Sequence, residues 1–128
     1  MSITRVSSTS RSGPTIARFS AVRAGNLLVL SGVNAWSGDG DFVGANDPYT
    51  QMKVCLAKAV AALSELGANT SDVIQTRIYL TDADHWPVVA RAHREVFEHA
   101  RPAAMVVAAA LLDPRMLVEV EVMAYVDR

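Results

Sequence analysis

The C-terminal quarter of the chain constrains its fold most. Val118-Glu119-Val120-Glu121-Val122 alternates apolar and acidic residues. A period of two predicts a strand with one face buried and the other turned away from the core. Residues 103–112 form an unbroken apolar run, and Asp113-Pro114-Arg115 marks the turn that joins the two segments. Two carboxylates on a valine-rich strand are costly unless they meet water, a partner or a ligand. A sheet with one packed face and one reserved face is therefore required.

The upstream residues supply the packing layer. Phe19 to Arg23, a turn at Ala24-Gly25-Asn26, and Leu27 to Gly32 read as a hairpin, after a short strand at 3–6. Residues 33–46 are a Gly/Asp/Asn loop. Asp47-Pro48 opens a helix, with Asp as N-cap and Pro at the first helical position. Met52, Cys55, Leu56, Ala59, Leu63 and Leu66 recur at helical spacing as its buried stripe, and Gly67 closes it.

Residues 73–80 are rich in β-branched side chains and predict a strand. Ile74, Thr76, Ile78 and Leu80 share one face; Gln75, Arg77 and Tyr79 share the other. Asp84 is expected to cap a second helix reaching about Ala100, with Trp86, Val89, Ala92, Val96 and Phe97 buried. Strands at 104–109 and 118–125 complete the order β-β-β-α-β-α-β-β. Helices interrupting strands in this way predict an α+β fold in one domain, residues 1–128, with a mixed sheet and both helices on one face.

Composition narrows the function. The formal net charge is -1, and no basic–aromatic stripe marks a nucleic-acid surface. The longest apolar run is about half of what a bilayer requires, so no membrane span is expected. The N-terminus is polar, and Cys55 is the single cysteine. These features predict a cytoplasmic protein without disulfides. Hydrophobic residues reach 51% and charged residues only 20%, which predicts a subunit interface.

Several segments together carry a family resemblance. They are Val22-Arg23-Ala24-Gly25-Asn26-Leu27-Leu28 with Ser31-Gly32, Leu63-Ser64-Glu65-Leu66-Gly67-Ala68, Asp72-Val73-Ile74, Tyr79-Leu80-Thr81-Asp82, Arg101-Pro102-Ala103 and Val118-Glu119-Val120-Glu121. In this order and spacing the chain resembles the RidA (YjgF) enamine/imine deaminase family. The resemblance implies a chorismate-mutase-like fold, a homotrimer, and a cleft between subunits for a small-molecule ligand. No cofactor and no metal is expected.

The resemblance also implies site residues. The family's Arg-Pro-Ala is typically followed by an arginine that forks onto the carboxylate of a 2-imino acid; here that position is Ala104. The position two residues further on, often cysteine, is Val106, and the family's tyrosine is matched by Phe19, which lacks a hydroxyl. These three would form an apolar wall. Ser31 and Gly32 would position ligand or water, and Glu119 would be the acid/base. A methyl group at 104 cannot donate a hydrogen bond, so a neutral or cationic ligand is expected rather than a simple 2-imino carboxylate. The expected function is hydrolytic deamination of a small imine, enamine or related nitrogen compound. The alternative is a noncatalytic ligand-binding or regulatory trimer.

Other polar residues read more plainly. Glu121 is expected to pair with Arg77 or another basic side chain, and Arg101 and Arg115 to face solvent or turn. His85, His93 and His99 lack the spacing of a metal pair. Cys55 lies on an apolar stripe and is expected to be a core residue. Ser31-Gly32 lacks the nucleophile-elbow pattern. Asn34, Trp36 and Asp39 read as surface-loop residues, with a cleft rim as the second reading.

Overall fold

The computed structural model describes residues 2–7 and 19–128, with the side chains of Ser7 and Phe19 outside that description. Six strands form one sheet: β1 (Ile3–Ser7), β2 (Phe19–Ala24), β3 (Leu27–Leu30), β4 (Val73–Leu80), β5 (Ala103–Ala108) and β6 (Val118–Tyr125). Their spatial order is β1-β2-β3-β6-β4-β5. Among the described strands only β4 and β5 pair in parallel. Helices α1 (Pro48–Glu65) and α2 (Trp86–Phe97) complete the α+β fold in the expected element order.

Helix α1 starts where its sequence provides a cap. The Asp47 carboxylate accepts from the Thr50 backbone N–H at 3.1 Å and from the Thr50 hydroxyl at 2.7 Å. It ends in a Schellman motif: Gly67 N–H donates to Ser64 O at 3.1 Å, and Ala68 N–H to Leu63 O at 2.9 Å. Gly67 has φ +84°, which a side chain would strain. The whole predicted stripe from Met52 to Leu66 is buried. It packs on Leu28 and Leu30 of β3 and on Val118, Val120, Val122 and Ala124 of β6. Each fully buried aliphatic side chain contributes about 1.5–3 kcal/mol.

Gln51 interrupts that apolar helix face. Its side chain is fully buried, and all of its bonds go to backbone. Nε2 donates to Gly44 O at 3.2 Å and Arg115 O at 3.0 Å, while Oε1 accepts from Leu117 N–H at 2.9 Å. One amide thus ties α1 to two irregular segments.

Four expectations needed correction. Ile74 is exposed and Val73 is buried, because a register shift between Val73 and Gln75 inserts a residue opposite β6. Such a bulge turns the strand's alternation over by one position. The second helix is preceded by a 3-10 turn, Ala83–His85, which Asp82 rather than Asp84 caps. Pro87 lies in the first turn of α2, and the helix stops at Phe97, followed by Arg101 at φ +50°. Trp86 is consequently at the helix start and exposed, whereas Val89, Ala92 and Phe97 are buried.

The sheet's other face stays open. Leu27, Val29, Arg77, Tyr79, Glu119, Glu121 and Tyr125 lie on it, and no described element covers them. Along the β5 edge all six residues are exposed. No helix among the described residues is long and apolar enough to cross a membrane.

Candidate functional site

The site is built where β3 gives way to the loop at 33–46. Val33 and Val120 form an isolated antiparallel bridge, with Val33 N–H donating to Val120 O at 2.7 Å and Val120 N–H to Val33 O at 2.9 Å. In that register Asn34 stands opposite Glu119 on the open face. The Asn34 amide nitrogen is 3.5 Å from Glu119 Oε2, a long contact. The other end of the same amide, Oδ1, accepts from Trp36 N–H at 3.0 Å. That second bond orients the amide and aims its N–H groups at the carboxylate.

Gly32 forms the adjoining wall. A Cβ there would lie 3.1 Å from Glu119 Cδ and 3.2 Å from Oε1. Glycine therefore lets the half-buried carboxylate lie almost flat against backbone. Ser31 is anchored through its own N–H, which donates to Ser20 O at 2.8 Å. The structure thus gathers Gly32, Asn34 and Glu119, with Ser31 next to Gly32 in the chain.

Ala104 and Val106 occupy a different place. Ala104 pairs with Thr76 and Val106 with Ile78, on the helix side of the sheet. Glu119 pairs with Tyr79, on the open side. Residues in register share a face, so within one protomer Ala104 and Val106 are separated from Glu119 by the sheet. Phe19 opens β2 opposite Ser7, and its side chain is outside the described set.

The neighbouring polar groups have defined partners. Glu121 accepts a short hydrogen bond from the Tyr79 hydroxyl and lies 3.8 Å from Arg77. The Glu121 hydrogen bond, with burial and the nearby negative charges, pushes the Tyr79 phenol above its ordinary range. Arg115 grips Asp113 at 3.0 and 2.9 Å, donates to Gly40 O and lies over the Phe42 ring. Exposed Arg101 donates to Glu98 O at 3.1 Å. His93 is bonded to Thr76 Oγ1 at 2.9 Å, and burial pushes its pKa down. Among the described residues no His, Cys, Asp and Glu cluster could hold a metal.

Beneath the site lies α1. Burial pushes the Cys55 thiol up to about 12, Glu119's charge adding to the effect and Lys58's opposing it. Such a thiol is no nucleophile. Lys58, half-buried, donates to Asn34 O at 2.9 Å and also to Trp36 O. Sequence reasoning missed both Lys58 and the Asn34–Glu119 pairing. The signal available was the run of residues continuing β3's direction past Ser31-Gly32.

The sequence profile of the family described as endoribonuclease L-PSP matches residues 10–126. The chain belongs to that family, the RidA (YjgF) family. A Mycobacterium tuberculosis structure described as a YjgF/YER057c/UK114 family member superposes with a TM-score of 0.87 at 35% identity, covering 98% of this chain and 100% of that one. An uncharacterized Streptomyces coelicolor protein is 41% identical over 106 residues, covering 82% of this chain and 78% of the relative. A 3-aminoacrylate deaminase from Acinetobacter baylyi is 29% identical, covering 83% of this chain and 84% of the enzyme. In this RidA-family chain, Ala104 and Phe19, where the resemblance implies departures from the family pattern, lie on β5 and β2.

Proposed function

We propose that the chain is a divergent RidA-family hydrolase that deaminates a small imine, enamine or related nitrogen compound in a cleft between subunits of a cytoplasmic homotrimer. The carrying observation is the Glu119 carboxylate, held against the Gly32 backbone and faced by the neutral Asn34 amide. As water attacks the C=N carbon, Glu119 takes one of its protons and delivers it to the nitrogen, giving a carbinolamine. Glu119 then takes the carbinolamine hydroxyl proton and passes it to the nitrogen as the C–N bond breaks, leaving a carbonyl and ammonia. Proton transfer of this kind contributes about 10²–10⁴-fold. The 3-aminoacrylate deaminase relative supports the reaction class.

The trimer is supported by the uncovered apolar surface. Val29, Met105, Val106, Val107 and Tyr125 are each more than a third exposed. A site that uses Ala104, Val106 and Phe19 as an apolar wall beside Glu119, with Ser31 and Gly32 positioning ligand or water, takes them from two copies. A methyl at 104 favours a neutral or cationic ligand. Nucleic acid is not the proposed substrate, since the formal net charge is -1 and the open face carries Arg77 already beside Glu121.

The test is hydrolysis of a neutral imine generated in situ, with semicarbazide trapping what remains. Wild type should shorten the imine's lifetime, and Glu119→Gln should lose about 100-fold of that effect. Equal rates for the two would overturn the assignment. Ala104→Arg should shift preference toward 2-imino carboxylates. The Ala104 methyl also favours a second reading, a noncatalytic binding trimer. Calorimetric binding of small amines without any imine turnover would establish it.

A further inference from the structure

The helix beneath the site carries a cation that hydrolysis does not use. Lys58 follows Ala57 and precedes Ala59 on α1, in a stretch otherwise built of small and aliphatic residues. Its side chain is half-buried, and burial pushes the ammonium pKa down. Among the described residues no carboxylate pairs with it. Its partners are instead two backbone carbonyls, Asn34 O and Trp36 O. Removing an ammonium from water toward neutral partners is expensive, so the arrangement needs a compensating role.

The two carbonyls belong to alternate residues of one short segment. A single ammonium donating to both draws them together and sets the turn between them. Inside that turn, Trp36 N–H is brought to Asn34 Oδ1 at 3.0 Å. That bond leaves Asn34 Nδ2 facing Glu119 Oε2 at 3.5 Å. We infer that Lys58 is a positioning residue, which holds the turn at 34–36 so that the Asn34 amide faces the Glu119 carboxylate. Its importance for turnover rests on the proposed role of Glu119; the positioning itself does not.

The chain of contacts runs in one direction. Lys58 touches neither Glu119 nor a ligand position; it touches the backbone on which Asn34 is mounted. Without it, the two carbonyls turn to water, the Trp36–Asn34 bond loosens, and the amide rotates away. Methionine at 58 would keep the aliphatic stem on the core and remove both donations. Glutamine would keep a neutral but shorter donor.

The experiment is a substitution cycle read by NMR on the intact protein. Asn34→Ala identifies the Asn34 side-chain amide signal. In the wild-type background, Glu119→Gln should move that signal. In the Lys58→Met background, Glu119→Gln should no longer move it, while amide signals of α1 and β6 keep their positions. Trp36 N–H should then exchange with solvent about tenfold faster. An undiminished Glu119-dependent shift in Lys58→Met would overturn the inference. Lys58→Leu, which also removes both donations, provides the same cycle if Lys58→Met does not fold. The unmodified protein offers a further check: a Trp36 N–H that exchanges as fast as an open loop amide would overturn it as well. Absence of imine turnover with the NMR cycle behaving as expected would remove the hydrolase reading and leave the positioning role standing. Turnover with an unchanged cycle would do the reverse.

Discussion

Gly32 and Glu119 meet with no side chain between them: a Cβ at 32 would come within 3.1 Å of the Glu119 carboxyl carbon. The atoms it would meet are the far end of a flexible side chain, so the carboxylate would yield rather than the backbone. Gly32→Ala is therefore expected to fold with a stability change under about 1 kcal/mol, while the displaced Glu119 loses at least about tenfold in imine hydrolysis. Thermal melting and the semicarbazide assay on the same preparation check this. A large fall in melting temperature, or full activity, would show that the contact is not what the glycine serves.

Gln51 carries three backbone bonds from a fully buried position. Gln51→Leu keeps the volume but leaves Gly44 O, Arg115 O and Leu117 N–H without that partner. The expected cost is about 2–5 kcal/mol, seen as a lower urea midpoint. A midpoint equal to wild type would mean that water takes over these groups freely.

Cys55 should be chemically silent in the folded protein. Its thiol is buried and pushed up to about 12. At about pH 8 an aromatic disulfide reagent should label it only as fast as the protein opens, and promptly in denaturant. Complete labelling within seconds under native conditions would contradict the burial.

Acid should weaken the fold through Asp72 and Asp47. Arg128 hydrogen-bonds Asp72 at 2.9 Å through two nitrogens and holds its pKa below the ordinary value, helped by the Asn69 N–H. Thr50 does the same for Asp47. A carboxylate whose folded pKa is depressed binds fewer protons folded than unfolded. Its stabilisation is complete above the unfolded pKa, about 3.9, and is lost as pH falls through the folded one. Urea midpoints should thus decline below about pH 4, and Asp72→Asn should make that decline shallower. An acid limb unchanged by Asp72→Asn would exclude this ion pair as a contributor.

Much of the fold was legible in local signals. Asp47-Pro48 and Gly67 bracket α1 because a cap and a left-handed terminus are chemical properties of those residues. The Val/Glu alternation marked β6 and its two faces correctly. Glu121 was rightly read against Arg77. Ile74 was misplaced because the bulge depends on how β4 registers against β6, which no property of β4 alone reveals. Gln51 hid in an apolar stripe, since its partners are the backbone of residues 44, 115 and 117.

By itself the sequence determined the element order, the ends of α1 and the family, all of which depend on residues near one another in the chain or on a motif read in order. Only the tertiary structure decided that Asn34 faces Glu119, that Lys58 donates to the Asn34 and Trp36 carbonyls, and that Ala104 lies across the sheet from Glu119. Those relations follow from strand register and from which side of a sheet a helix covers. Register is a property of pairs of distant segments, and a slip of one residue would reverse every face.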